Sequence, residues 1–168
     1  MGSGTPSPAA RTTPVKAGPA RWLAESGWFP ERDIGEQADE LIRWRLRDAE
    51  RQGCPLTVFP KAGDLIRCYG LLRIPHPKSG ERALVMDPRA GYEGDAADIA
   101  ELAANLGQRL FPVGYETPDL SLLLVDEEER FFYLHHTGAY YCGSGAHEMF
   151  TGFINNVDTP DAEDFFVR

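Results

Sequence analysis

Three features of the sequence predict an α+β domain. Apolar residues recur at helical spacing towards both ends of the chain, short apolar runs of strand length cluster between residues 71 and 142, and turn residues separate nearly every run. A chain of 168 residues suffices for one domain with its own core. The composition, 42% hydrophobic and 26% charged, is that of a folded protein, and no apolar run approaches the ~18 residues of a membrane helix.

Residues 1–20, MGSGTPSPAARTTPVKAGPA, have no apolar periodicity and no apolar core of a secretory signal. They read as a flexible arm, and the protein is expected to stay in the cytoplasm. Cysteines 54, 68 and 142, an odd number at wide spacings, suit a reducing compartment. Ala20 to Ser26 supplies about two helical turns with Trp22 and Leu23 inward and Gly27 as a left-handed stop. The stretch LAESGWFPERDI then spends Trp28 and Phe29 on a turn, which predicts a hydrophobic clasp between the first two helices, with Pro30 fixing the exit and Arg32 free to pair with a carboxylate. From Ile34 to Gln52, Ile34, Ala38, Leu41, Ile42, Leu46 and Ala49 form one apolar stripe before Gly53, which predicts the longest helix. Pro60 opens a further helix that Gly70 closes.

Leu71–Ile74 and Arg82–Met86 read as a strand pair around the Pro75, Pro77 and Gly80 turn cluster. Ala97–Leu106 is helical up to Gly107, and Leu110–Gly114 is a short strand. Leu120–Val125 and Phe131–His135 form a hairpin around the charged loop 126–130, and Tyr140–Cys142 is one more strand. Ser144 is placed to cap a last helix whose inward face is Met149, Phe150, Phe153 and Ile154, and residues 157–168 read as an acidic tail. The domain proper thus spans residues 21–156.

No catalytic pattern stands out. His135, His136, Cys142 and His147 lie close in sequence but lack metal-ligand spacing, and two successive strand residues point to opposite faces. Thr151 stands where a zinc-protease helix needs its second His, and Gly143-Ser144-Gly145 does not have the spacing of a nucleophile elbow. No phosphate-cradling loop occurs. The expectation is a protein without catalytic activity, metal or cofactor.

Charge is segregated. The net charge is −9, yet residues 92–168 hold three Arg against fifteen acids, so this half alone carries −12. Such a surface repels nucleic acid and attracts basic proteins. Tyr92, Glu93, Asp95, Asp119, Glu127, Glu128, Tyr140 and Tyr141 come from loops or strand ends of this half, and aromatic with acidic is the make-up of a surface that grips a basic partner. These eight are the candidate contact residues, although alternation sends one of Tyr140 and Tyr141 inward.

The blocks Leu23-x-x-x-Gly27-Trp28-Phe29-Pro30-x-Arg32, Tyr69-Gly70-Leu71-Leu72, Leu110-Phe111-Pro112-Val113-Gly114, Val125-Asp126-Glu127-Glu128 with Phe132-Tyr133, and Gly143-Ser144, in this order, resemble the third group of the SUKH immunity proteins. Glu31 and Leu71 stand where that group has Gly. The resemblance implies a mixed central sheet of five or six strands with helices packed around it. It also implies a non-enzymatic role: binding a cognate toxin domain of a bacterial polymorphic toxin system, commonly a nuclease or nucleic-acid deaminase, as a monomer or homodimer. The alternative within the same fold is a regulatory or scaffold module that binds an endogenous protein.

Overall fold

The computed structural model describes residues 18–168, so the arm expected at the start of the chain lies, but for its last three residues, outside the described residues. Its elements in order are α1 (Ala20–Glu25), α2 (Glu36–Arg51), α3 (Pro60–Tyr69), β1 (Arg73–Pro75), β2 (Ala83–Val85), α4 (Asp95–Leu106), β3 (Leu110–Thr117), β4 (Ser121–Asp126), β5 (Arg130–His135), β6 (Gly138–Ser144) and α5 (Ala146–Ile154). The α+β class holds. The sheet, however, is not mixed: its six strands lie side by side in chain order and every neighbouring pair is antiparallel. The reason is in the connections. The last three are turns of two or three residues, whereas a parallel pair needs a crossover of about a dozen or more.

Both faces of the sheet are covered, which explains the unbroken apolar run of β4. Leu123 and Val125 join Phe111, Val113 and Phe131 in a core with α2, α3 and α5. Leu122 and Leu124 face the other way, with Leu110, Phe132 and Leu134, against α4. A strand buried on both sides loses the polar alternation of a surface strand. The second core is completed by the C-terminal segment. Ala162 is fully buried, Phe165 stacks on Tyr141 with ring centres 4.3 Å apart, and the Val167 N–H donates to the Asn105 carbonyl at 2.9 Å.

The aromatic turn after α1 is built differently from the expected clasp. Trp28 lies nearly parallel to Tyr69 of α3, with ring centres 5.8 Å apart, and Tyr69 in turn packs on Phe150 of α5. Phe29 is 55% exposed and takes no part. Arg32 pairs with no carboxylate; its guanidinium donates to the Cys68 and Gly70 carbonyls, each at 2.8 Å, at the negative end of α3. Leu71 follows with φ 69, a left-handed conformation that glycine adopts more readily than leucine. At the other end, Ser144 is the last residue of β6 and not a helix cap. Its hydroxyl bonds the Tyr141 hydroxyl at 2.9 Å, and Gly145 precedes α5 with φ 86.

Candidate functional site

Hairpin geometry decides which of the eight candidate residues meet. Successive turns of a meander alternate ends, so the β3–β4 and β5–β6 turns share one end of the sheet and the β4–β5 turn occupies the other. Asp119 and Tyr140 therefore belong to the first end. Glu127 and Glu128 belong to the second, about 20 Å away by the rise of a six-residue strand. The eight do not share one surface.

Each of the others has a definite place. Asp95, expected at the surface, is 1% exposed: its carboxylate accepts from the equally buried Arg45 guanidinium at 2.7 Å and from the Gln52 amide at 2.9 Å. It is part of the interior, joining α2 to α4. Glu93 is exposed and paired with Arg51 at 3.0 Å, which holds its carboxyl below the ordinary glutamate value. Tyr141 faces α4 and the C-terminal segment, tilted on Phe132 and Phe165. Tyr140 is on the opposite face of β6, as strand alternation requires.

Tyr92, Asp119 and Tyr140 border two clefts on opposite faces of the sheet that adjoin at His135, at the β5–β6 end. One, of about 340 Å³, lies between the sheet end and the C-terminal end of α5, with Glu116, Asp119, Tyr140 and Asp158 among its walls. The other, of about 640 Å³, lies between α4 and the β5–β6 turn. Leu102, Leu120, Leu134 and Phe166 are among its apolar lining residues, and Tyr92, Asp98 and Glu101 line it too. His135 lines both clefts. The ridge between them is tied by hydrogen bonds between His135 Nδ1 and Thr137 Oγ1 and between Thr137 Oγ1 and the Tyr140 hydroxyl, each 2.8 Å. Tyr92 donates its hydroxyl to Asp98 at 2.7 Å. Burial first, and Asp98 second, push that phenol well above its ordinary pKa, so it stays a neutral donor.

The electrostatics are one-sided. Five carboxylates line the two clefts, of Asp98, Glu101, Glu116, Asp119 and Asp158, against one arginine, Arg82. Arg82 is already engaged by Glu116 and Asn156. At the far end of the sheet Asp126, Glu127 and Glu128 are paired locally, while Glu129 and Glu148 have no cation partner among the described residues. Asp126, fully buried, accepts from the Glu128 and Arg130 N–H groups and from the Arg130 side chain, holding the turn, and Glu127 accepts from Arg109 at 2.7 Å. Sequence reasoning missed Asp98 and Glu101, although their spacing of three on α4 puts both on one helix face. Asp158 carried no such signal, because only the fold of the last segment brings it to the cleft.

Among the described residues no group of three or more His, Cys, Asp or Glu side chains is placed to hold a metal. Cys142 points into the core, where burial pushes its thiol far up in pKa. What this end of the molecule offers is a pair of partly apolar clefts lined by more carboxylates than cations.

A family model described as SUKH-3 immunity protein matches residues 17–156, about five-sixths of the chain. The chain belongs to the SUKH-3 immunity protein family. No curated protein and no solved structure matches it. Membership suggests a toxin-neutralising immunity role, and immunity proteins in general act by binding a cognate toxin without catalysis of their own. In this SUKH-3 chain the matched span holds all six strands and all five α-helices of the described residues, while the docked segment 157–168, with its short 3-10 helix Ala162–Phe165, lies beyond it. No helix among the described residues is long and apolar enough to cross a membrane.

Proposed function

We propose that this SUKH-3 protein acts in the cytoplasm as the immunity partner of a polymorphic toxin domain, a nuclease or nucleic-acid deaminase, and neutralises it by covering its basic active cleft. The observation that carries this reading is the pair of adjoining clefts with five carboxylates and one engaged arginine. A toxin that grips a polyanionic substrate needs a positive cleft, and the sheet end presents the opposite sign. Such complementarity speeds encounter and fixes orientation more than it adds affinity. Tyr92, Asp119 and Tyr140 are the contacts retained from the sequence reading, joined by Asp98 and Glu101.

The test is co-expression with the toxin domain encoded by the neighbouring open reading frame, scored by growth rescue, together with association rates of the purified pair. The parent restores growth, and the complex weakens steeply between about 50 and 300 mM salt as the screening length shrinks. Glu101→Lys with Asp119→Lys slows association and removes most of that salt dependence. A salt-insensitive complex, or full protection by the reversed protein, would place the contact elsewhere.

A further inference from the structure

The last stretch of the chain touches both clefts. Val157 and Asp158 line the smaller one and Phe166 the larger. To reach both, residues 157–168 leave α5 on one face of the sheet, pass around the β6 edge and end against α4 on the other. This course is fixed at both ends and in the middle. Asn156 takes φ 52, which turns the chain out of α5, and the Val157 N–H donates to the Gly152 carbonyl at 3.0 Å. Halfway along, the Tyr141 N–H donates to the Pro160 carbonyl at 2.8 Å and Asp161 pairs with Tyr140, closing part of the free sheet edge. The Asp161 carboxylate then accepts from the Glu163 N–H at 2.9 Å and opens the short helix that carries Ala162 and Phe165 into the second core.

The residues that hold the segment are not the ones it displays. Ala162 is fully buried and Phe165 stacks on Tyr141. Val157, in contrast, is 49% exposed, Asp158 is exposed with no cation partner among the described residues, and Phe166 is half-buried in the wall of the larger cleft. Side chains displayed on a firmly mounted strip lose little freedom when a partner covers them, so their contacts are gained at low entropic cost. The strip offers an acid beside an aliphatic side chain on one face of the sheet. On the other it offers an aromatic beside Leu102, Leu120 and Leu134. Charge complementarity fits a basic group to the first position and an apolar one to the second, and the two clefts adjoin at His135, so one partner can reach both.

We propose that residues 157–168 form a recognition strip for the toxin domain, which straddles the β6 edge. A lysine or arginine of the toxin, beside an apolar side chain, meets Asp158 and Val157 in the smaller cleft, and a second apolar side chain meets Phe166 in the larger. The inference rests on the toxin reading above and adds to it contacts beyond residue 156, where the family match ends. Asp158 acts with Glu101 and Asp119 on association, whereas Val157 and Phe166 govern how long the complex lasts.

The experiment measures association and dissociation rates of the catalytically silenced toxin domain from the neighbouring open reading frame against Asp158→Lys, Val157→Ser and Phe166→Ala. Amide hydrogen exchange of the parent, free and bound, is followed alongside; it needs no variant and carries the test even where Phe166→Ala folds poorly. Asp158→Lys is expected to slow association at least about fivefold at about 50 mM salt and less at about 300 mM. Val157→Ser and Phe166→Ala are each expected to raise the dissociation rate at least about fivefold with association within about twofold of the parent. Exchange across residues 157–168 is expected to slow in the complex. Rates within about twofold of the parent for all three variants, or unchanged exchange of the segment, in a complex still slowed by Glu101→Lys with Asp119→Lys, overturns the strip and spares the toxin reading. Weakening confined to the variants of one cleft puts the toxin on a single face and overturns the straddling contact. A parent that does not bind the toxin domain overturns both readings.

Discussion

Asp95→Ala tests whether the carboxylate belongs to the fold or to the contact surface. Both members of the Arg45–Asp95 pair are 1% exposed and their atoms meet at 2.7 Å. Removing the carboxylate strands the Arg45 guanidinium in the interior with the Ala90 carbonyl as its remaining acceptor, at 3.3 Å. It also removes the acceptor of the Tyr92 N–H and one of the two acceptors of the Gln52 amide, the other being Asp48. Breaking a buried pair by deleting one partner costs about 3–5 kcal/mol, because a charge is left uncompensated in a poorly polarisable site. For a chain of this size about 1 kcal/mol corresponds to roughly 3 °C, so calorimetry should show the melting temperature about 10–15 °C lower. Arg45→Met combined with Asp95→Ala removes both charges and should recover at least half of the loss. A loss below about 1 kcal/mol in urea denaturation, or a double variant worse than Asp95→Ala alone, would refute this account of the pair. Because the pair also holds the loop bearing Tyr92, weakened toxin binding by Asp95→Ala should appear only with the stability loss.

Gly114→Ala should destabilise by about 1–3 kcal/mol in urea denaturation, since the new Cβ would stand 2.6 Å from the Val85 carbonyl oxygen of the neighbouring strand. His76 is buried, and burial, then Arg82, lowers its pKa below 6.5. The unfolded chain therefore takes up the proton first, stability falls as pH drops below about 6.5, and His76→Gln should shrink the difference in melting temperature between pH 7.5 and 5.5. Burial alone would raise the Asp87 carboxyl, but the Arg89 side chain and N–H outweigh it and the pKa lies below 3.8. That carboxylate stabilises the fold above the unfolded value and the contribution is lost as pH falls through the folded one, so the advantage of the parent over Asp87→Asn should start to shrink in melts taken below about pH 4 and vanish only once pH lies below the folded value. Glu128→Lys, at the far end of the sheet, should leave toxin association rates within about twofold of the parent; a large decrease would move the contact to that end.

The helices were legible because their signals are local. The apolar stripe of residues 34–52 and the Pro60 and Gly70 bounds anticipated α2 and α3 to within two residues. The strands were legible only where apolar. β3 continues through the half-buried Tyr115, Glu116 and Thr117, and β6 spans Gly138–Ser144 with Gly, Ala and Ser at its ends, so in neither extension does apolar alternation mark a strand. Asp95 was misplaced because burial of a carboxylate depends on a partner fifty residues away. Yet Arg45 offered a clue: it lies four residues after Leu41 and four before Ala49, in the middle of the apolar stripe, and an arginine there needs a buried acceptor. Phe29 was misread as core for the opposite reason, since its neighbour Trp28 alone satisfies the packing on Tyr69.

The meander itself decides which acids act together. Sequence proximity grouped Glu127 and Glu128 with Asp119, but a single strand separates those turns by its full length. Carboxylates remote in sequence, those of Glu101, Asp119 and Asp158, are brought to the two adjoining clefts instead. The ion pairs leave free acids at both ends. Near the β4–β5 turn Arg109 and Arg130 offset Asp126, Glu127 and part of Glu128 and leave Glu129 and Glu148 unpaired, and at the other end Glu101, Asp119 and Asp158 likewise have no cation partner among the described residues. Paired charges project little field beyond their immediate surroundings, while free ones of a single sign add. The −12 of the C-terminal half is therefore not spread evenly over its surface. The contact proposed above draws on the carboxylates where the β3–β4 turn, the β5–β6 turn and the end of α5 converge, because there they line clefts rather than a hairpin tip.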